Sequence, residues 1–342
     1  MRDMPNLDFV RSVAVITVVL EHILLAFGFL QAGPYSMAYL GVLGVMVFFV
    51  LTSLVLMWSL ERRPHTLDFY IRRWFRIYPL ALAVIAVAFL FHAPTGGSPD
   101  AIFQYSDPSL HDLLMQSSLL QPADSLLVGV MWTLPYEVEM YLLLPVIFFF
   151  VRKNFSLWPL LVLWGLVLLN MRNVPSDMHN FGVAIGYFLP GVMAYVAYGR
   201  WKPKLPAYLL PVFLLAAWAI FLYHCDFHKA WWFCLLIALG LPLFRQIKSE
   251  LVLAPSRVLA RYSYSVYLTH PFALMVGLHL LQGHSLALRL TVSGLCLVVF
   301  PVAAYHLLEH PLNRIGSRFA ARAEKRYEQS DVCNFRKQKA AE

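Results

Sequence analysis

Residues 9–30 read FVRSVAVITVVLEHILLAFGFL, and the fold turns on whether this stretch is a discarded leader or a membrane helix. Its apolar run exceeds the about 7–15 residues of a signal-peptide core, and no convincing small-residue cleavage site follows it. It also carries Arg11, Glu21 and His22, for which a leader has no use. A helix needs about 20 mostly apolar residues to cross a ~30 Å hydrocarbon core. The stretch is therefore read as a first transmembrane helix.

Outward from it, similar blocks recur at about 39–59, 77–94, 130–151, 156–171, 182–199, 205–223, 230–245, 262–281 and 289–308. The expected fold class is all-α: a polytopic membrane helix bundle of about ten transmembrane helices. Composition agrees. The chain is 60% hydrophobic and 13% charged over 342 residues, whereas a soluble domain carries about 25% charge. No room is left for a sizeable soluble domain.

All but three of the 27 basic residues fall in segments that share one side of this topology. The exceptions are Arg172, Lys229 and Arg289. The positive-inside rule then places both the N-terminus and the C-terminus inside. The net charge of +8 thus lines one membrane face and touches anionic lipid; no nucleic-acid partner is expected. Residues 1–311 form the expected membrane domain and 312–342 a basic cytoplasmic tail, helical at first and then loosely ordered. The long connection at 95–129 holds an amphipathic stretch around Leu110–Leu120, expected to lie on the surface or to be partly re-entrant. The four cysteines show no paired spacing and imply no disulfide framework.

Ionisable residues inside transmembrane helices are expensive and mark functional candidates. In the first helix, Arg11 and His22 are eleven residues apart, which returns to nearly the same face roughly 16 Å along the axis. Asp8 can pair with Arg11 at i,i+3. Arg11 read alone is equally a topology anchor, and a lone buried histidine is commonly a packing residue. Histidine is nevertheless the side chain best suited to proton exchange near neutral pH. Glu21 does not face its neighbour on an ideal helix and is expected to serve another helix.

A second set, Phe69-Tyr70-Ile71-Arg72-Arg73-Trp74-Phe75-Arg76-Ile77-Tyr78-Pro79, is read as a cytoplasmic loop before the third span. Arg73 and Arg76 can converge on a phosphate, with aromatic residues beside them for an adenine ring; an interfacial amphipathic helix is the other reading. A third set, Trp132-Thr133-Leu134-Pro135-Tyr136-Glu137 with Glu139 and Tyr141, opens the fourth span. Glu137 could orient a histidine or bind an acceptor hydroxyl, while Glu139 suits an interfacial, solvated site. A fourth is Tyr262-Ser263-Tyr264-Ser265-Val266-Tyr267-Leu268-Thr269-His270-Pro271, with His270 expected near the midplane, about 13 Å from the inner end of its helix. His279 and His306 read as structural, and Glu309-His310-Pro311 closes the tenth span. His224-Cys225-Asp226-Phe227-His228 looks metal-like but sits in a tight outside turn without further ligands, so no metal site is expected.

Together these segments resemble the acyltransferase-3 family of integral membrane O-acyltransferases, over residues 7 to about 311. Arg11 followed by His22, the run Gly44–Ser53 in the second helix, Arg73-x-x-Arg76, Trp132-Thr133-Leu134 with Glu137, the run ending at His270, and Glu309-x-Pro311 all match, in order. Departures are Ser12 for a usual glycine, Thr52-Ser53 where Ser-Gly is common, Val138 for a frequent second glutamate, and Glu21 before His22. The resemblance implies an acyl-CoA donor, often acetyl-CoA. It also implies an acceptor hydroxyl on a carbohydrate: a surface or exported glycan, a lipid-linked saccharide or a glycoside. The setting implied is the bacterial cytoplasmic membrane. The expected site has His22, Glu137 and His270 as catalytic residues and Arg11, Arg73 and Arg76 as donor-binding residues. His22, oriented by a carboxylate, acts as general base or forms a transient acyl-histidine. The rival reading is a proton-coupled transporter or flippase of a saccharide-like substrate, against which stands the lack of an internal repeat. A glycan polymerase would call for a basic outer loop, and residues 95–129 contain no Lys or Arg.

Overall fold

The computed structural model describes residues 4–29, 39–95, 103, 109–120, 127–153, 155–171, 181–224 and 230–339. Its helices are α1 (Pro5–Ala26), α2 (Leu40–Arg62), α3 (Thr66–Leu90), α4 (Leu110–Ser118), α5 (Leu134–Lys153), α6 (Leu157–Met171), α7 (Phe181–Arg200), α8 (Leu209–His224), α9 (Ala230–Gly240), α10 (Glu250–Leu274), α11 (Leu286–Ala304) and α12 (His310–Lys339). Among the described residues the one β-type contact is an isolated bridge between Leu205 and Phe244. Five helical stretches are long and apolar enough to cross a membrane, starting at Pro5, Leu40, Thr66, Gly129 and Leu286, and shorter apolar helices accompany them. The chain is a polytopic α-helical membrane bundle.

Each expected span coincides with a helix, but several ends differ. The stretch read as a loop at 69–79 is the first half of α3. Its charges do not break the helix because Asp68 and Arg72 pair one turn apart at 2.8 Å. α10 begins at Glu250, not near 262, so His270 lies roughly 30 Å from its start rather than 13 Å. The boundary expected at 311 falls just inside α12, and helix continues to Lys339. α4 is capped by Ser109 and Asp112 and is pinned inward by Gln116, which bonds the backbone of Leu127 and Val128.

Close approach of backbones holds the centre, as expected where lipid supplies no hydrophobic drive between helices. α1 lies between α2 and α10, and α2 in turn packs on α7 and α9. A Cβ at Gly44 would meet the Ala14 carbonyl and Val18 of α1, and one at Gly191 would meet the Val50 carbonyl of α2. Phe49 stacks on Phe188 across the same α2–α7 seam, with centroids 4.3 Å apart. Prolines inside the helices free carbonyls that the bundle must satisfy. Pro190 frees that of Gly186, which accepts from the Trp164 indole at 2.9 Å. π-Turns begin at Met275 and Tyr305, each four residues past a helix proline, Pro271 and Pro301.

The basic segments expected on one face do meet. Buried Asn6 binds the backbone of Arg245 and Ile247 and accepts Ile247 N–H at 2.9 Å, while Arg245 N–H reaches the Leu205 carbonyl. α12 packs along α3, with Phe319 stacked on Phe75.

Candidate active site

α1 carries the site at both ends. Toward its C-terminus, His22 meets His270 of α10 edge to face, ring centroids 4.8 Å apart. His22 Nδ1 lies 2.8 Å from the Val18 carbonyl one turn back. A carbonyl only accepts, so Nδ1 carries the proton and Nε2 keeps its lone pair. His270 repeats the arrangement, with Nδ1 3.1 Å from the Val266 carbonyl. It also engages the Tyr267 carbonyl, which Pro271 has freed by lacking an N–H. His270 is fully buried, and its Nε2 has no partner among the described residues. Each imidazole is thus held through Nδ1 by its own helix, and His270 Nε2 is without a partner among the described residues. Tyr267 frames the pair: its hydroxyl donates to the Val130 carbonyl at 2.5 Å and meets Thr133 at 3.0 Å.

Toward the other end of α1, charge gathers from three helices. Glu137 of α5 accepts from Tyr141 at 2.9 Å and feels the guanidinium groups of Arg76, Arg73 and Arg11. Arg76 forms an ion pair with Glu309, which is buried and also accepts from Ser265 at 2.5 Å. The Arg76 guanidinium sits 5.4 Å from the centre of the Tyr264 ring, and Tyr264 itself donates to the Ile77 carbonyl. Arg72 is committed to Asp68. Arg11 and Arg73 are both half-buried, and the Glu137 carboxylate lies within electrostatic reach of each. Asp8 acts on Arg11 as a nearby opposite charge.

The six expected residues therefore form two groups. His22 and His270 come together; Arg11, Arg73, Arg76 and Glu137 come together; Tyr267 lies within electrostatic reach of both Glu137 and Glu21. Glu137 was expected to be a candidate for orienting a histidine. Here it sits with the arginines, and His22 is held instead by Val18, with Glu21 Oε2 3.7 Å from Nδ1. Glu139 has a buried carboxylate oxygen without a partner among the described residues, unlike the solvated group expected. The aromatic residues between the arginines are partly spent on packing: Phe75 on Phe319, Trp74 on Tyr78. Ser12, in place of a usual glycine, bridges α1 to α10 through the Ser256 carbonyl at 3.0 Å. His306 accepts or donates to the Tyr262 hydroxyl, and His279 lies against Phe103. The metal-like run from 224 falls largely outside the described residues.

Sequence reading missed Ser265, Tyr264 and Asp68 as site partners. The dense polar run 262–270 signalled that α10 faces something polar, but not which residue each hydroxyl would meet. A family model described as an acyltransferase domain matches residues 4–308. The chain belongs to the acyltransferase-3 family. The chain is also similar to Acyltransferase MdmB of Streptomyces mycarofaciens, 32% identical over 163 residues, covering 44% of this chain and 40% of that relative. The match thus spans less than half of the relative's length. No solved structure matches the chain.

Proposed function

We propose that this acyltransferase moves an acyl group, acetyl in the simplest case, from cytoplasmic acyl-CoA to a hydroxyl of a carbohydrate acceptor. The observation that carries the reading is the His22–His270 pair, in which both Nδ1 atoms are held by helix carbonyls, so that each ring has its Nε2 lone pair to offer a substrate. His22 Nε2 takes the proton of the acceptor hydroxyl as its oxygen attacks the thioester carbonyl. The new C–O bond forms, the C–S bond breaks, and the departing thiolate takes the proton back from His22. His270, with its own Nε2 unspent beside His22, binds the reacting oxygen or the developing oxyanion.

The donor's phosphates suit Arg11 and Arg73, whose guanidinium groups gather with that of Arg76 around Glu137. Arginine presents a planar fork that matches phosphate. Arg76 contributes while tied to Glu309, and Glu137 spaces the three cations. In this reading both termini are cytoplasmic, residues 1–311 are the transferase and 312–342 its basic tail, and the membrane is the bacterial inner one. The meeting of the basic segments at one end of the bundle supports that sidedness. The acceptor would be an exported glycan, a lipid-linked saccharide or a glycoside; O-acetylation of polysaccharide is the expected case.

The test is release of free thiol from a panel of acyl-CoAs by the purified protein in lipid nanodiscs, with and without saccharides. Acceptor-dependent release that His22→Ala abolishes supports the proposal. Unchanged transfer by His22→Ala would remove both the general-base and the acyl-histidine versions.

A further inference from the structure

Glu21 is where this chain departs from the family pattern beside the reacting histidine, and two contacts fix its carboxylate. The first turn of α2 leaves N–H groups without helical partners, and Tyr39 at the cap supplies no side-chain acceptor. The Gly41 N–H bonds to Glu21 instead. A Cβ at position 41 would land on that carboxylate, so glycine there is what lets the group reach the backbone. The start of a helix favours an anion. The same carboxylate lies 3.7 Å from His22 Nδ1, and its side chain is 12% exposed.

We propose that Glu21 is a positioning residue for His22, anchored on the start of α2 so that it flanks the imidazole and stabilises the imidazolium formed during transfer. The proposal rests on the acyl-transfer reading above. When Nε2 takes the acceptor's proton, the ring gains a full positive charge. The Nδ1 proton stays on its nitrogen throughout, bonded to the Val18 carbonyl with the Glu21 carboxylate alongside. The other titratable groups facing this pair are His270 and Tyr267 of α10; α2 presents the backbone of Gly41 and Gly44 to Glu21 and α1 respectively. The carboxylate is therefore the anion set against the new charge. The link also ties ring position to the α1–α2 seam, since any shift of α2's first turn moves the carboxylate.

The experiment measures kcat and donor KM in nanodiscs for the wild type, Glu21→Gln, Glu21→Asp and Gly41→Ala, with His22→Ala as control. Glutamine still accepts from the Gly41 N–H but lacks the charge. Its kcat falls roughly 10–100-fold, the scale of one lost charge pair in a partly buried site, with donor KM within about twofold. Glu21→Asp restores part of the loss. Gly41→Ala, which keeps the charge but pushes it from its seat, lowers kcat in the same sense. Wild-type kcat in Glu21→Gln, with His22→Ala inactive, overturns the positioning role and leaves the transferase reading standing. Full transfer by His22→Ala overturns the base assignment and this proposal with it.

Discussion

The two ends of α1 solve opposite problems with the same kind of backbone. At the histidine end, each imidazole spends one nitrogen on a carbonyl of its own helix, which costs no neighbouring side chain and leaves the other nitrogen bare. At the arginine end, every anion is shared: Glu309 between Arg76 and Ser265, Glu137 among three guanidinium groups and Tyr141. The first end sets two imidazoles edge to face, the side chain that a proton acceptor near neutral pH needs. The second gathers three guanidinium groups around one carboxylate, Glu137, an arrangement that suits the phosphate site proposed above. In the proposed function the difference separates chemistry from donor binding, and each variant below strikes one end and not the other.

The largest effect is expected at His22. Replacing it by alanine lowers kcat by about 10²–10⁴-fold, the usual contribution of a positioned general base, while donor KM stays near wild type in steady-state assays. His270→Ala comes next. It should lower kcat roughly 10–100-fold, since a group that only stabilises the reacting oxygen contributes less than the base, again with little change in donor KM.

At the other end, Arg73→Ala should raise donor KM roughly 10–100-fold, matching the loss of a charged hydrogen bond of about 1.5–3 kcal/mol, with kcat largely kept. Arg73→Lys recovers only part of this, because a point charge replaces a fork. Glu309→Ala would remove the ion-pair partner of Arg76, whose side chain is 32% exposed, so the loss falls below the about 3–5 kcal/mol of a fully buried pair. Its signature is a lower unfolding temperature in detergent together with a raised donor KM. Ser12→Ala removes one interhelical hydrogen bond, worth about 0.6 kcal/mol in a membrane bundle; activity should be close to wild type with a small loss of thermal stability.

Much of this was legible before any coordinates. Apolar blocks of span length have few interpretations, so the existence of the helices followed from hydropathy. The placement of Arg11 and His22 on one face followed from helical periodicity; the structure sets Arg11 near Glu137 and His22 against His270. Helix ends were less legible, because charged residues look like loop. Asp68 and Arg72 neutralise each other within one turn of α3, and α10 carries Glu250 and Arg257 in helix well before its apolar part. Partner choice was not legible at all. Glu309 meets Arg76 across most of the chain, and nothing local to either residue says so. Glu137 illustrates the same point: as a carboxylate in a membrane helix it invited pairing with a histidine, but the tertiary fold brings three arginines to it.

Glu21 lies between these cases. Periodicity said that it would serve another helix, and it does reach the first turn of α2; its approach to His22 required the glycine at 41. A sequence reading has no access to that coincidence of a long side chain and an open backbone.

The separation of chemistry from donor binding is tested most directly by equilibrium binding of coenzyme A to nanodisc-embedded protein, without acceptor or turnover. The account predicts that wild type and His22→Ala bind alike, while Arg73→Ala binds at least about tenfold more weakly. Binding that is lost in His22→Ala but retained in Arg73→Ala would contradict it.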